Sequence, residues 1–146
     1  MNTTAPKQLI LSQAQAAQLR AAAAAAYPAE CCGLLAGKGD DIVEVTEVVA
    51  VANVAADRQR RFDIDPQAQF DLLRRLRGSG QRVVGHYHSH PNGRADLSSH
   101  DRAMANDPDA IWVVIAMDAQ GCALPPTAFL CPQDSAPVRI EMVIRG

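Results

Sequence analysis

All four histidines of the chain, His86, His88, His90 and His100, fall in one short stretch that also contains Asp96 and Asp101. Zinc takes imidazole nitrogen and carboxylate oxygen at about 2.0–2.2 Å in tetrahedral geometry, and a catalytic site uses three protein ligands and keeps the fourth position for water. Side chains two apart on a strand share a face, so His88-Ser89-His90 can aim two imidazoles at one ion. Pro91 ends that strand directly after the second histidine, where a loop can open the site to substrate. A third donor is available in Ser98-Ser99-His100-Asp101. Ser98 as an N-cap with Asp101 three residues on also reads as a capping-box-like helix start. The two readings are compatible, because a carboxylate in the first turn lies near the positive end of the helix dipole and stays ionised. His86 shares the strand face and reads as a partner behind the ligands, an alternative ligand or a packed core histidine, and His100 as an exposed side chain. Asp96 is a candidate for orienting an imidazole from behind.

The elements that must hold these residues follow from periodicity and punctuation. Ser12 and Gln15 form a capping-box signature before Gln13–Tyr27, an Ala-, Gln- and Leu-rich helix that Pro28 stops. Glu30 to Gly37 is a short apolar run closed by glycine, and Ile42 to Val54 is strongly β-branched after the turn residues Gly39, Asp40 and Asp41, so the two read as a hairpin. Asp65 and Pro66 suit the N-cap and first position of a second helix running to about Arg77, ended by Gly78 and Gly80. Val83 to His88 reads as a strand, Ser98 to about Asn106 as a third helix, and Ile111 to Met117 as a strand buried on both faces. Two further strands are expected near Ala128 and Ile140, the first an edge or broken strand because of Pro125 and Pro126. The order αββαβαβ, followed by more strands, predicts an α/β fold with a mixed β-sheet flanked by helices.

Composition narrows the class. With 146 residues, 48% of them hydrophobic and 21% charged, the chain suits one domain spanning residues 1–146. A net charge of -2 argues against a nucleic-acid partner, and Arg58, Arg60, Arg61, Arg74, Arg75 and Arg77 read as a solvated face. The longest apolar stretch, Ala21 to Ala26, is far too short to span a membrane. Met1 to Ile10 has no secretory pattern, and Cys31, Cys32, Cys122 and Cys131 form no C-x-x-C pair, so a cytoplasmic protein with reduced, mostly buried thiols is expected.

Glu30 cannot be joined to the histidines by periodicity, since a glutamate beside Pro28 at a strand edge is ordinarily just solvated. However, Glu30, then His88-Ser89-His90-Pro91, then six residues, then Ser98-Ser99-His100-Asp101 resembles the JAMM motif of the MPN+ (Mov34/MPN/PAD-1) zinc metalloproteases. Pro28 to Gly37, and Asn53 with Arg61 to Pro66, also resemble that family, in its compact stand-alone prokaryotic form. The resemblance implies one zinc ion held by His88, His90 and Asp101, with Glu30 as the general base acting on its water and then as the acid toward the leaving amine. It implies that Ser98 hydrogen-bonds near the water or the developing oxyanion. It further implies cleavage of peptide or isopeptide bonds after the C-terminal Gly-Gly of a ubiquitin-like or sulfur carrier protein. Cys31 and Cys32 then read as packing residues rather than ligands. Three rival readings are a non-catalytic scaffold of the same fold, a purely structural zinc site and a zinc deaminase-like hydrolase. The first should have lost motif residues, the second does not suit mixed ligands with an open position, and the third needs His-x-Glu and Pro-Cys-x-x-Cys, which are absent here.

Overall fold

Along the chain the elements are β1 (Gln8–Ser12), α1 (Gln13–Ala26), β2 (Cys32–Lys38), β3 (Ile42–Val51), α2 (Pro66–Leu76), β4 (Arg82–His90), β5 (Ile111–Ala116), β6 (Thr127–Leu130) and β7 (Val138–Arg145). The structure, a computed structural model, describes residues 5–98, 101–102, 107–133 and 135–146. The strands form one mixed sheet in the order β1-β3-β2-β4-β5-β6-β7, closed because β1 pairs in parallel with both β3 and β7. The β2–β3 hairpin and the buried β5 stand as the sequence implies. Of the expected third helix, Ser98 precedes the helical residues Asp101 and Arg102, and residues 99–100, with His100, and 103–106 lie outside the described residues.

Two departures have physical causes. β1 precedes the first helix without a turn: Leu9, Ile10 and Leu11 are all buried, so this five-residue strand shows no alternation, and Ser12 both ends it and caps α1. β6 is not an edge, since it pairs with β5 and β7. Pro125 and Pro126 precede its first residue, so their missing N–H groups fall outside the ladder.

Helix α1 buries Leu19 and Ala23 against one face of the sheet, in a core with Leu9, Leu35, Val43, Tyr87, Val113 and Ile115. On the other face α2 sets Leu72 and Leu76 on Leu34 and Ala36. Beyond them Trp112, Val114, Leu97 and Cys131 form a separate cluster. In β4 the register against β2 shifts between Leu35 and Ala36, where Val84 is the extra residue, and from there Tyr87 packs in the α1 core. Alternation then sends His86, His88 and His90 to the opposite face.

Tyr87 lies opposite Gly33, and a Cβ at Gly33 would sit 2.3 Å from its ring. Gly33→Ala must therefore displace a fully buried aromatic side chain on the strand that carries the histidines. We expect a loss of about 1–3 kcal/mol, the usual range for overpacking, read as a lowered midpoint in urea unfolding. An unchanged midpoint would mean that the ring moves aside freely.

The Arg-rich stretch is partly paired at the surface, Arg75 with Glu47 through two contacts of 2.7 and 3.0 Å. Cys31, Cys32 and Cys131 are buried and free, as expected for packing thiols. Cys122 is instead exposed, in a turn where its N–H donates to the Asp118 carboxylate. Among the described residues no helix is long and apolar enough to cross a membrane.

Candidate metal centre

β4 and β5 are parallel, so the chain must cross over between them, and that crossover begins at the carboxyl end of β4. His88 and His90 occupy this end, and Asp101 returns to it from the crossover. His88, His90 and Asp101 are all buried. Their ligand atoms converge: His88 Nε2 lies 2.8 Å from His90 Nε2, and Asp101 Oδ2 lies 3.1 Å from the first and 3.0 Å from the second. Asp101 is fixed by the expected capping exchange, its Oδ2 accepting from the Ser98 N–H and its own N–H donating to Ser98 Oγ, both at 3.0 Å.

The link to Glu30 that periodicity misses is the antiparallel pairing of β2 with β4. Cys32 lies opposite His88, and continuing the register two residues backward brings Glu30 alongside His90. The Ser89 N–H donates to the Cys31 carbonyl at 3.1 Å, and the Cys31 N–H donates to Ser89 Oγ at 2.8 Å, carrying the pairing past the end of β2. Glu30 is buried, and a carboxylate oxygen of it lies within 4.8 Å of ring nitrogens of both His88 and His90. Its Oε1 has no hydrogen-bond partner among the described residues.

These residues fit a cation. Two imidazole nitrogens facing each other at 2.8 Å with a carboxylate oxygen beside both need positive charge between them, a proton or a metal. Ligand atoms of a tetrahedral zinc site stand roughly 3.3 Å apart for bonds of about 2.0–2.1 Å, close to the spacing here. His90 Nδ1 donates to the Arg94 carbonyl at 3.0 Å, which leaves the Nε2 lone pair aimed at the centre. Among the described residues His88 has no hydrogen-bond partner at Nδ1, and it is held by Phe62, whose ring stacks on it at 4.3 Å and 17°.

Burial pushes the Glu30 carboxyl up to about 7, against the pull of a charged His90 and with the push of Asp101 and Asp57. For Asp101 burial also acts upward, but the hydrogen bonds from His88 and His90 win and hold it well below the usual carboxylate range. His88 is driven down by burial, whereas in His90 the downward effect of burial is overcome by its bond to Asp101, which holds it above its ordinary value. The metal-free centre therefore holds protons more readily than free side chains would, partly on Glu30 near neutral pH. A cation displaces them, so uptake near pH 7 should release protons, and apparent affinity should weaken as pH falls through 7. Titration calorimetry in buffers of different ionisation enthalpy checks this: buffer-independent heats would show that no proton leaves.

Of the neighbouring polar residues, His86 packs edge-on to Trp112 at 4.3 Å and is held neutral by burial, its value pushed down to about 3. It is a half-buried histidine packed behind the centre, at the wall of the neighbouring cavity. Asp96 is exposed and paired with Arg94 at 3.1 Å, so the group behind His90 is the Arg94 carbonyl and not the Asp96 carboxylate. The sequence reading gave no role to Ser89 or Phe62, nor to Asn53, whose side chain reaches the Glu30 carbonyl. Asn53 is marked only as part of the family resemblance, which assigns it no contact.

A closed mixed sheet that brings a His-x-His strand end, a carboxylate from the next crossover and a glutamate from just before the neighbouring strand β2 into one buried centre defines a hydrolase domain of JAMM/MPN type. Over residues 12–128 the chain matches the family described as prokaryotic homologs of the JAB domain, and it belongs to that family. It is 36% identical over 101 residues to the desampylase of Haloferax volcanii, covering 69% of this chain and 72% of that protein. The solution structure of a Desulfitobacterium hafniense protein matches with a TM-score of 0.82 and 29% identity over 94% of this chain and 92% of the other. One from Salinibacter ruber matches with 0.69 and 28% over 96% and 91%. The crystal structure of a JAB1/MPN domain protein from Archaeoglobus fulgidus shares the fold, with a TM-score of 0.58 and 17% identity over 93% and 98%. The chain is thus a JAMM-type enzyme, a hydrolase acting on peptide bonds.

Proposed function

We propose that this enzyme is a zinc-dependent isopeptidase or peptidase that cuts after the C-terminal Gly-Gly of a ubiquitin-like protein, a sulfur carrier being the favoured substrate. On this reading His88, His90 and Asp101 hold the ion, Glu30 is the general base and Ser98 a hydrogen-bond donor to the reacting oxygen. The observation that carries it is the convergence of His88 Nε2, His90 Nε2 and Asp101 Oδ2 within 3.1 Å of one another, beside a buried glutamate oxygen with no partner. Neutral imidazoles with a carboxylate suit zinc in its catalytic form. When bound, zinc supplies a water acidified to a pKa of about 7 and a polarised carbonyl.

The chain's own groups do the rest. Glu30, ionised, accepts the proton of the attacking water and passes it to the leaving amine. Two carboxylates thus take different roles because their surroundings differ. Asp101 is pinned by Ser98 and both histidines, which suits a ligand, while Glu30 has an oxygen free to receive a proton. Ser98 Oγ already accepts from the Asp101 N–H, so its hydroxyl hydrogen is free to be donated to a developing oxyanion.

The substrate assignment is supported by the likeness to a desampylase and by the shape of the surroundings. β1 closes the sheet between β3 and β7, which does not favour strand addition along its sides. A cavity of about 520 Å³ instead adjoins Asp101, lined by Leu34, Phe62, Ile64, Leu73 and Trp112, with room for an extended tail. Glycine at the cut lets the backbone reach a recessed centre where a side chain would collide, and the folded body of the substrate would add remote binding energy. Free cysteines and no disulfide among the described residues support a reducing, cytoplasmic setting.

Short extensions fused to a ubiquitin-like sulfur carrier, followed by mass spectrometry, provide the test. Cleavage is expected after the second glycine and should fall sharply when both terminal glycines become alanine. Equal rates for the Gly-Gly and Ala-Ala tails would sink the specificity, and similar rates on unrelated denatured proteins would mark a general peptidase.

A further inference from the structure

Asn53 stands two residues beyond the end of β3, half-buried, and its side-chain amide is fully used. Nδ2 donates to the carbonyls of Glu30 and Arg61, and Oδ1 accepts from the N–H groups of Ala55 and Asp63, all at 3.0 Å. Two donors and two lone pairs are what the group possesses, so the other orientation of the amide would oppose like to like four times over.

Three of these bonds close the local turn between residues 53 and 63, and the fourth leaves it. It reaches the backbone of Glu30, whose own N–H donates to the Arg58 carbonyl at 2.6 Å in the same turn. Both backbone groups of Glu30 are therefore held by the 53–63 segment. The next residue, Cys31, is tied to Ser89 on the histidine strand. Oε1 of the Glu30 side chain meets no partner, so the backbone is what places that oxygen relative to His88 and His90.

We propose that Asn53 is a positioning residue for the base: its donation to the Glu30 carbonyl sets where the carboxylate stands in the centre. This rests on Glu30 being the base. A misplacement of about 1 Å can cost on the order of 10²-fold in rate. Asn53→Asp keeps both accepting contacts of the turn and removes both donors, which separates the turn from the hold on Glu30.

The experiment compares wild type, Asn53→Asp, Glu30→Gln and the double variant as zinc-loaded full chains cleaving a Gly-Gly-extended ubiquitin-like fusion. Asn53→Asp is expected to lower kcat by about ten- to a hundredfold, with KM and zinc content close to wild type. In the Glu30→Gln background the same change should alter the residual rate less than about twofold, because the group it positions is already gone. Should the new carboxylate unfold the chain by facing two carbonyls, Asn53→Ser is expected to show the same pattern with a smaller loss. Equal fractional losses in both backgrounds, or a loss that follows zinc content, would overturn the proposal. So would an unchanged kcat in the Asn53 variants while Glu30→Gln is impaired, an outcome that spares the base assignment. Wild-type turnover in Glu30→Gln would instead strike the base itself.

Discussion

Glu30→Gln is expected to lower turnover by ~10²- to 10⁴-fold, the usual contribution of a general base, while zinc content and thermal unfolding stay near wild type. The amide is nearly isosteric, so the packing of Glu30 beside the strand end is preserved. Its backbone contacts to Asn53 and Arg58 are untouched. The lost function is specific: an amide oxygen cannot take a proton from water at neutral pH. Stability should hold or rise slightly, because burial already opposes the charged carboxylate and pushes it up to about 7. The sign follows from that shift. A carboxyl raised in the folded state loses stabilisation as pH rises from its unfolded value through 7, and the glutamine is free of that loss. Steady-state cleavage together with metal analysis reads both halves, and wild-type turnover would remove Glu30 from the mechanism.

Replacing a ligand should have a different signature, with metal and activity lost together. His88→Ala and His90→Ala each remove one of two nitrogens that stand 2.8 Å apart, and Asp101→Asn removes the charge that touches both. Metal catalysis contributes several kcal/mol, so activity should fall at least about 10³-fold at a tenfold loss for each 1.36 kcal/mol. His88→Ala also opens a gap under the Phe62 ring, so some loss of stability accompanies it, whereas His90 lies nearer the surface end of the strand. Full activity in either histidine variant would show that the ligand assignment is wrong.

Much of this centre was legible because it is local. His88 and His90 are two apart on one strand, and Ser98 with Asp101 is one helical turn, so spacing alone puts each pair on a common face. The same is true of α1, α2 and the β2–β3 hairpin, each announced by caps or turn residues within the element itself. What escaped is long-range. Glu30 joins the histidines through antiparallel pairing across more than fifty positions of sequence, and only the family pattern connected them beforehand. β1 escaped because three consecutive buried residues show no period, and the closure of the sheet escaped because β1 meets β7 from the opposite end of the chain. The hold of Asn53 on the Glu30 carbonyl and that of the Arg94 carbonyl on His90 escaped because backbone carbonyls leave no trace in residue type.

Two imidazoles and Asp101 are proposed to hold one catalytic zinc with Glu30 beside it. Elemental analysis of the wild-type protein after mild purification addresses this assignment most directly, with the His90→Ala and Asp101→Asn proteins alongside. About one zinc per chain is expected in the wild type, with cleavage abolished by a chelator and restored on adding zinc up to that ratio, and far less metal in the two variants. A wild-type protein that cleaves its substrate with no bound metal, and takes up none when zinc is supplied, would contradict it.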